Sequence, residues 1–96
     1  MKVRISTLFS RGKSEGESAG NVGNVLVKYA RENGYRAYTV DKIETRKRDE
    51  YFSSSARVLF LEKSCPELLE CRLKQEEKSI DELYETLKGK GLVDLI

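Results

Sequence analysis

The sequence predicts a single α+β domain over residues 1–96, in which an antiparallel sheet carries two helices on one face. A chain of 96 residues has room for one hydrophobic core and not for two. Apolar residues recur with a period of two in some segments and at helical spacing in others. These segments follow one another in the order strand, helix, strand, strand, helix, and this order indicates the class.

The first part of the chain predicts a strand, a loop and a helix. Residues 1–9 alternate between the two faces of a strand, one of them buried. Residues 10–18 are rich in glycine and serine, which predicts a loop. Residues 19–33 place apolar side chains at helical spacing, and Gly34 supplies a left-handed stop signal. The buried face of the strand is expected to comprise Val3, Ile5, Thr7 and Phe9.

The middle of the chain predicts two further strands joined by a hairpin turn. Residues 35–46 are rich in β-forming residues but polar on both faces, which is typical of an edge strand. Residues 47–55 are polar and turn-forming. Residues 56–63 contain a continuous apolar run, which indicates a central strand.

A long helical stretch is predicted over residues 64–88. Ser64 and Glu67 form a capping box at its start. Ser79 and Glu82 form a second capping box, so one helix and two helices that meet near Ser79 both fit the sequence. The apolar seam of this stretch comprises Leu69, Leu73, Ile80, Leu83 and Leu87, and Glu76 interrupts it.

With a short final strand at residues 92–96, the element order resembles the ferredoxin-like fold, a split βαβ arrangement. This fold assignment rests on element order alone. A competing arrangement is a three-stranded sheet with a protruding helix that dimerises, in which residues 92–96 form a tail.

Basic residues are concentrated in the first part of the chain. Residues 1–57 carry 12 basic and 7 acidic side chains, whereas residues 58–96 carry 6 basic and 9 acidic side chains. The ferredoxin-like arrangement brings the first loop, the hairpin and the link after the last helix to one end of the domain. A basic end of this kind predicts salt-dependent contacts with phosphates. The predicted nucleic-acid-binding residues are Arg11, Lys13, Arg46, Lys47, Arg48, Lys88 and Lys90.

Three aromatic residues are candidates for stacking against bases. Tyr51 and Phe52 lie beside the predicted hairpin tip. Phe60 becomes a stacking platform if the even-numbered residues of the central strand point to the open face of the sheet. If Leu59 and Leu61 point there instead, the exposed apolar strip is expected to pack on a second subunit.

The composition argues against an enzyme. The chain has no histidine, which excludes Ser-His-Asp and Cys-His nucleophile systems. Cys65 and Cys71 are too few for a cysteine-only zinc site, and their spacing does not match a metal or redox motif. We therefore expect no catalytic residue, no metal and no cofactor. The lack of a long apolar run predicts a cytoplasmic protein without membrane contact.

These patterns predict a small non-enzymatic domain that binds nucleic acid or another polyanion through its basic end. The alternative is a protein-binding or homo-oligomeric regulatory module, such as a homodimer, that uses the sheet face or the helix in residues 64–88. A third hypothesis is an anion sensor built on residues 10–24, where small residues precede a helix.

Overall fold

The computed structural model describes residues 1–66 and 79–93 of the chain. Four antiparallel strands and two helices are present in this part, which confirms the α+β class. The elements in chain order are β1 (Val3–Gly12), α1 (Glu15–Asn33), β2 (Ala37–Val40), β3 (Glu44–Lys47), β4 (Phe52–Leu61) and α2 (Ile80–Gly89).

β4 is the central strand of the sheet, as the apolar run indicated. β1 pairs with it along its whole length on one side, and β2 and β3 share the other side. The predicted edge strand over residues 35–46 is therefore two short strands. Between them the Lys42 amide donates a hydrogen bond to Oδ1 of Asp41 at 2.9 Å. A side chain that accepts a hydrogen bond from a nearby backbone amide competes with the hydrogen bonds between strands. This competition accounts for the break between β2 and β3.

α1 begins inside the stretch that was predicted to be a loop. The Ser14 hydroxyl accepts a hydrogen bond from the Glu17 amide at 3.1 Å, as an N-cap does. Glu15 and Glu17 lie in the first turn, where carboxylates stabilise the helix dipole. Ser14 and Glu17 have capping-box spacing, a signal that the glycine content of this stretch obscured. The predicted stop is confirmed, because Gly34 has a left-handed φ of 74°.

The two helices cover opposite faces of the sheet. Side chains of a strand alternate between its faces, so Val58 and Phe60 contribute to the core under α1. Leu59 and Leu61 contribute to a second core under α2. The structure therefore differs from the prediction of two helices on one face. Residues 58–61 are all buried, and each face needs its own apolar cover.

α2 begins at the second predicted capping box. Ser79 has an extended backbone (φ −63°, ψ 155°), and its hydroxyl accepts a hydrogen bond from the Glu82 amide at 3.3 Å. An unbroken helix through residues 64–88 is therefore excluded. The residues of the seam that α2 buries against its own sheet are Ile80, Leu83 and Leu87.

Some predictions fall on parts of the chain outside the described residues. These are the seam within residues 67–78, Cys71, and residues 94–96 of the predicted final strand. Leu92 and Val93 pack against the core under α2 and do not form a strand.

Candidate nucleic-acid interface

A tight turn joins β3 to β4, and the first residues of β4 bring two distant basic segments together. The Arg48 amide donates a hydrogen bond to the Tyr51 carbonyl oxygen at 2.7 Å, so the turn is shorter than predicted. The first residues of β4 are therefore part of the sheet. Among them, Ser53 pairs with Arg11 of β1 on one side and with Arg46 of β3 on the other. This confirms that the end of β1 and the hairpin meet.

Three arginines surround Ser53, and Arg11, Arg46 and Arg48 are here termed the arginine cluster. Nε of Arg48 donates a hydrogen bond to the Ser53 hydroxyl at 3.2 Å. The guanidinium carbon of Arg11 lies 4.9 Å from the centroid of the Tyr51 ring. Within residues 1–66 and 79–93, no carboxylate forms an ion pair with any of these arginines. No carboxylate of these described residues therefore neutralises their charges directly.

Phe9 lies beside the arginine cluster and is 70% exposed. It occupies the same face of β1 as Arg11, two residues further on, and it pairs with Ser55 of β4. The prediction that Phe9 is buried is wrong. The neighbouring Ser53 and Ser55 are too small to cover a phenyl ring, and α2 packs on the other half of this face. The run of serines in residues 53–55 was the signal in the sequence, because it offers Phe9 no apolar partner.

A shallow depression joins these side chains. It has a volume of about 390 Å³ and is open to solvent. Its lining includes Phe9, Arg11, Arg48, Tyr51 and Ser53. One depression therefore combines aromatic rings, two guanidinium groups and a hydroxyl.

On the opposite face of the sheet, buried hydroxyl groups attach the same strand ends to α1. Oγ of Ser54 lies 2.6 Å from Oγ of Ser18 and 2.8 Å from Oγ1 of Thr45. The Ser10 hydroxyl donates a hydrogen bond to the Ser18 carbonyl oxygen at 2.6 Å. A Cβ atom at Gly12 would lie 2.9 Å from Cα of Ser18, so glycine allows α1 to approach β1 this closely. These contacts hold together the strands that carry the arginine cluster.

Three other predicted binding residues lie near the arginine cluster but outside it. Lys47 and Phe52 pair with each other across β3 and β4. By the alternation of side chains they lie on the face that carries α1. Lys13 is exposed between β1 and the N-cap of α1. Of the predicted stacking residues, Tyr51 is the one that lines the depression.

Acidic side chains border the arginine cluster. Glu44 of β3 pairs with Ser55, on the other side of β4 from Phe9, and therefore shares their face of the sheet. Asp49 and Glu50 form the tip of the turn. These carboxylates offset part of the positive charge at the borders of the cluster.

An ion pair lies where α2 reaches the middle of this face. The Arg57 guanidinium donates two hydrogen bonds to the Asp81 carboxylate, each at 2.9 Å. These bonds hold the pKa of the Asp81 carboxyl below its usual value. The same interaction raises the pKa of Arg57. α2 therefore begins at this pair and leaves the half of the face nearer the turn exposed.

Lys88 and Lys90 lie away from the arginine cluster. They follow Leu87, whose core also contains Leu61 and Val3 at the far end of the sheet. α2 begins in the middle of the sheet at Asp81, and the core around its end lies away from the β3–β4 turn. That these two lysines take part in binding stays a prediction.

Phe60 is fully buried, so the prediction of an exposed stacking platform at this position is wrong. Its ring centroid lies 4.8 Å from that of Tyr29 and 5.3 Å from that of Tyr35, under α1. Burial raises the pKa of the Tyr35 hydroxyl, and the nearby Tyr29 adds to this effect. Leu59 and Leu61 are equally buried under α2, so neither arrangement predicted for an open sheet face occurs.

No protein-family model, curated protein or solved structure matches this chain. Among the residues that the structure describes, no group of three or more acidic, cysteine or histidine side chains is placed to hold a metal ion. Neither α1 nor α2 is long and apolar enough to cross a membrane. The candidate site is thus defined by its own geometry, an arginine cluster beside an exposed phenylalanine.

Proposed function

We propose that the protein is a non-enzymatic domain that binds nucleic acid through the arginine cluster. The observation that carries this proposal is the position of the arginine cluster around Ser53, because two of its arginines pair with Ser53 in the sheet and the third donates a hydrogen bond to it. None of the three forms an ion pair with a carboxylate of the described residues. A guanidinium group is planar and donates paired hydrogen bonds that match phosphate oxygens. Contacts of this kind give binding that weakens with salt and depends little on base sequence.

The aromatic residues beside the arginine cluster favour nucleic acid over a simple anion. Positive grooves with aromatic side chains are typical of proteins that bind single strands, because the rings contact bases while the charges contact phosphates. The stretch 10–24 offers a weaker anion site. It consists of the end of β1 and the first half of α1, and the Ser14 hydroxyl already caps that helix.

Fluorescence anisotropy with a labelled single-stranded oligonucleotide at several salt concentrations tests the proposal. The variant carries Arg11→Gln, Arg46→Gln and Arg48→Gln together. We expect its log affinity to depend less steeply on log salt, with a slope smaller by about 2, since each phosphate contact contributes about 0.7 for single strands. All three side chains are exposed, so the melting temperature should remain nearly unchanged.

A matched control removes the same charge elsewhere, with Lys28→Gln, Arg31→Gln and Arg36→Gln. These residues are exposed on α1 and just after it. We expect this variant to keep most of the salt dependence of the wild type. Equal losses in the two variants would mean that net charge, and not the arginine cluster, controls binding. Absence of binding by the wild type at low salt would reject the proposal.

A second candidate function is self-association through the edge formed by β2. Tyr38, Val40 and Ile43 follow one another along this edge and are 39%, 37% and 41% exposed. Exposed apolar residues on an edge strand favour pairing with another chain. The surfaces that the sequence suggested for this role are unsuitable where they are described, because both sheet faces near Leu59 and the apolar side of α2 are buried.

Light scattering at increasing protein concentration tests this second function. A wild type that dimerises, together with a Val40→Lys variant that stays monomeric, would support it. A wild type that remains monomeric at high concentration would reject it.

A further inference from the structure

We infer that the nucleic acid is bound as a single strand, with an unpaired base stacked on Phe9 and the adjoining phosphates held by the arginine cluster. This inference rests on the proposed function and adds to it a base-binding residue and the class of nucleic acid that is bound. Phe9 is the exposed ring nearest the cluster, with 70% of its surface accessible. The Tyr51 ring already packs against the guanidinium group of Arg11.

The spacing along β1 suits one nucleotide. Phe9 and Arg11 lie on the same face, and residues two apart in a strand are about 6.6–6.8 Å apart. A base on Phe9 and a phosphate at Arg11 are therefore contacted by neighbouring side chains. Ser53 and Ser55 lie beside them on β4, and their short side chains leave space for a flat base to approach the ring.

The charges around this face give the bound strand an orientation. Glu44 lies across Ser55 from Phe9, whereas Arg46 lies across Ser53 from Arg11. A carboxylate repels phosphate, so the negative backbone is excluded from the Phe9 end and attracted to the arginine end. Bases are consequently directed towards Phe9 and phosphates towards the cluster.

The exposed ring distinguishes single strands from duplexes. In a duplex the faces of each base are covered by its stacked neighbours, so a ring on the protein surface does not reach them. A duplex can use the arginine cluster through its phosphates but gains nothing from Phe9. Single strands should therefore bind more tightly than duplexes at equal salt and equal length.

Three labelled probes of equal length test the inference: a single-stranded thymidine oligonucleotide, a duplex, and an abasic strand with the same number of phosphates. We expect the wild type to bind the thymidine strand roughly 5- to 150-fold more tightly than the abasic strand, the range for one stacked base. Phe9→Leu should remove this difference and leave abasic binding unchanged. Phe9→Trp should retain it, since the stacking ring remains.

The control variant is Tyr38→Leu, which removes an exposed aromatic ring on the opposite face of the sheet. It should retain the preference for the thymidine strand. If the wild type binds all three probes equally while the arginine variant weakens all three, the inference is overturned and the proposed function stands. The inference also fails if Phe9→Leu weakens binding of all three probes equally. If the wild type binds no probe at low salt, both fail.

Discussion

The guanidinium group of Arg11 packs on the ring of Tyr51, with its carbon 4.9 Å from the ring centroid. Arg11 lies near the end of β1 and Tyr51 at the end of the β3–β4 turn, so this contact joins two distant chain segments. A cation–π contact at an exposed site contributes about 0.5–1 kcal/mol. It restrains a long, flexible side chain beside the depression that Phe9 also lines.

Tyr51→Leu should therefore weaken nucleic-acid binding by about two- to twelvefold, because the freed Arg11 side chain must then be ordered on binding, at a cost of about 0.5–1.5 kcal/mol. Tyr51→Phe keeps the ring and should retain wild-type affinity. Anisotropy titrations of both variants at one salt concentration provide the measurement. Equal weakening by the two substitutions would show that the hydroxyl group, and not the ring, contributes to binding.

Changes at the far end of the sheet should have little effect on nucleic-acid binding. Lys88→Gln with Lys90→Gln removes two charges beyond Leu87, away from the arginine cluster. We expect affinity within about twofold of wild type, because charges separated by more than the Debye length are largely screened at moderate salt. The matched comparison is the double variant Arg46→Gln with Arg48→Gln, which removes two charges from the arginine cluster itself. Equal losses in these two double variants would place the end of α2 in the interface.

The ion pair between Arg57 and Asp81 should make stability depend on pH. Arg57 lowers the pKa of Asp81, so the pair stabilises the fold above the unfolded carboxyl pKa. This stabilisation is lost as the pH falls through the lowered pKa of the folded state. Arg57→Gln should thus give a small decrease in melting temperature at neutral pH, and none once Asp81 is protonated. Thermal unfolding across this acid range measures the effect.

Arg36→Gln is the control for this pH dependence, because Arg36 is an exposed arginine outside the ion pair. This variant should show the same difference in melting temperature between neutral and acidic pH as the wild type. A decrease for Arg57→Gln that persists at acidic pH would indicate lost packing and not a lost ion pair.

Alanine substitutions at two glycines should have effects of opposite sign. Gly12→Ala places a Cβ against the backbone of Glu17 and Ser18 and should cost about 1–3 kcal/mol, the range for overpacking. Gly23→Ala meets nothing within 4 Å in the middle of α1 and should stabilise by about 0.4–1 kcal/mol. Urea unfolding provides both values. Unchanged stability in Gly12→Ala would contradict the close contact between β1 and α1.

Part of the candidate site was predictable from the sequence. Arg11 lies near the end of the first strand, Arg46 lies in β3 and Arg48 begins the turn, so antiparallel pairing of these segments with a common central strand brings them together. Lys88 and Lys90 could not be placed in this way. Their position depends on the direction in which α2 crosses the sheet, which no local pattern specifies.

Several element boundaries were predictable because local interactions set them. The Ser79 hydroxyl caps the helix that follows it, and Gly34 ends α1 in a left-handed conformation. Which side chains are covered depends on packing between distant parts of the chain. Phe60 is fully buried and Phe9 is 70% exposed, although both are phenylalanines on strands of the same sheet. The two rings differ because burial depends on how far a helix from a distant part of the chain extends over each face.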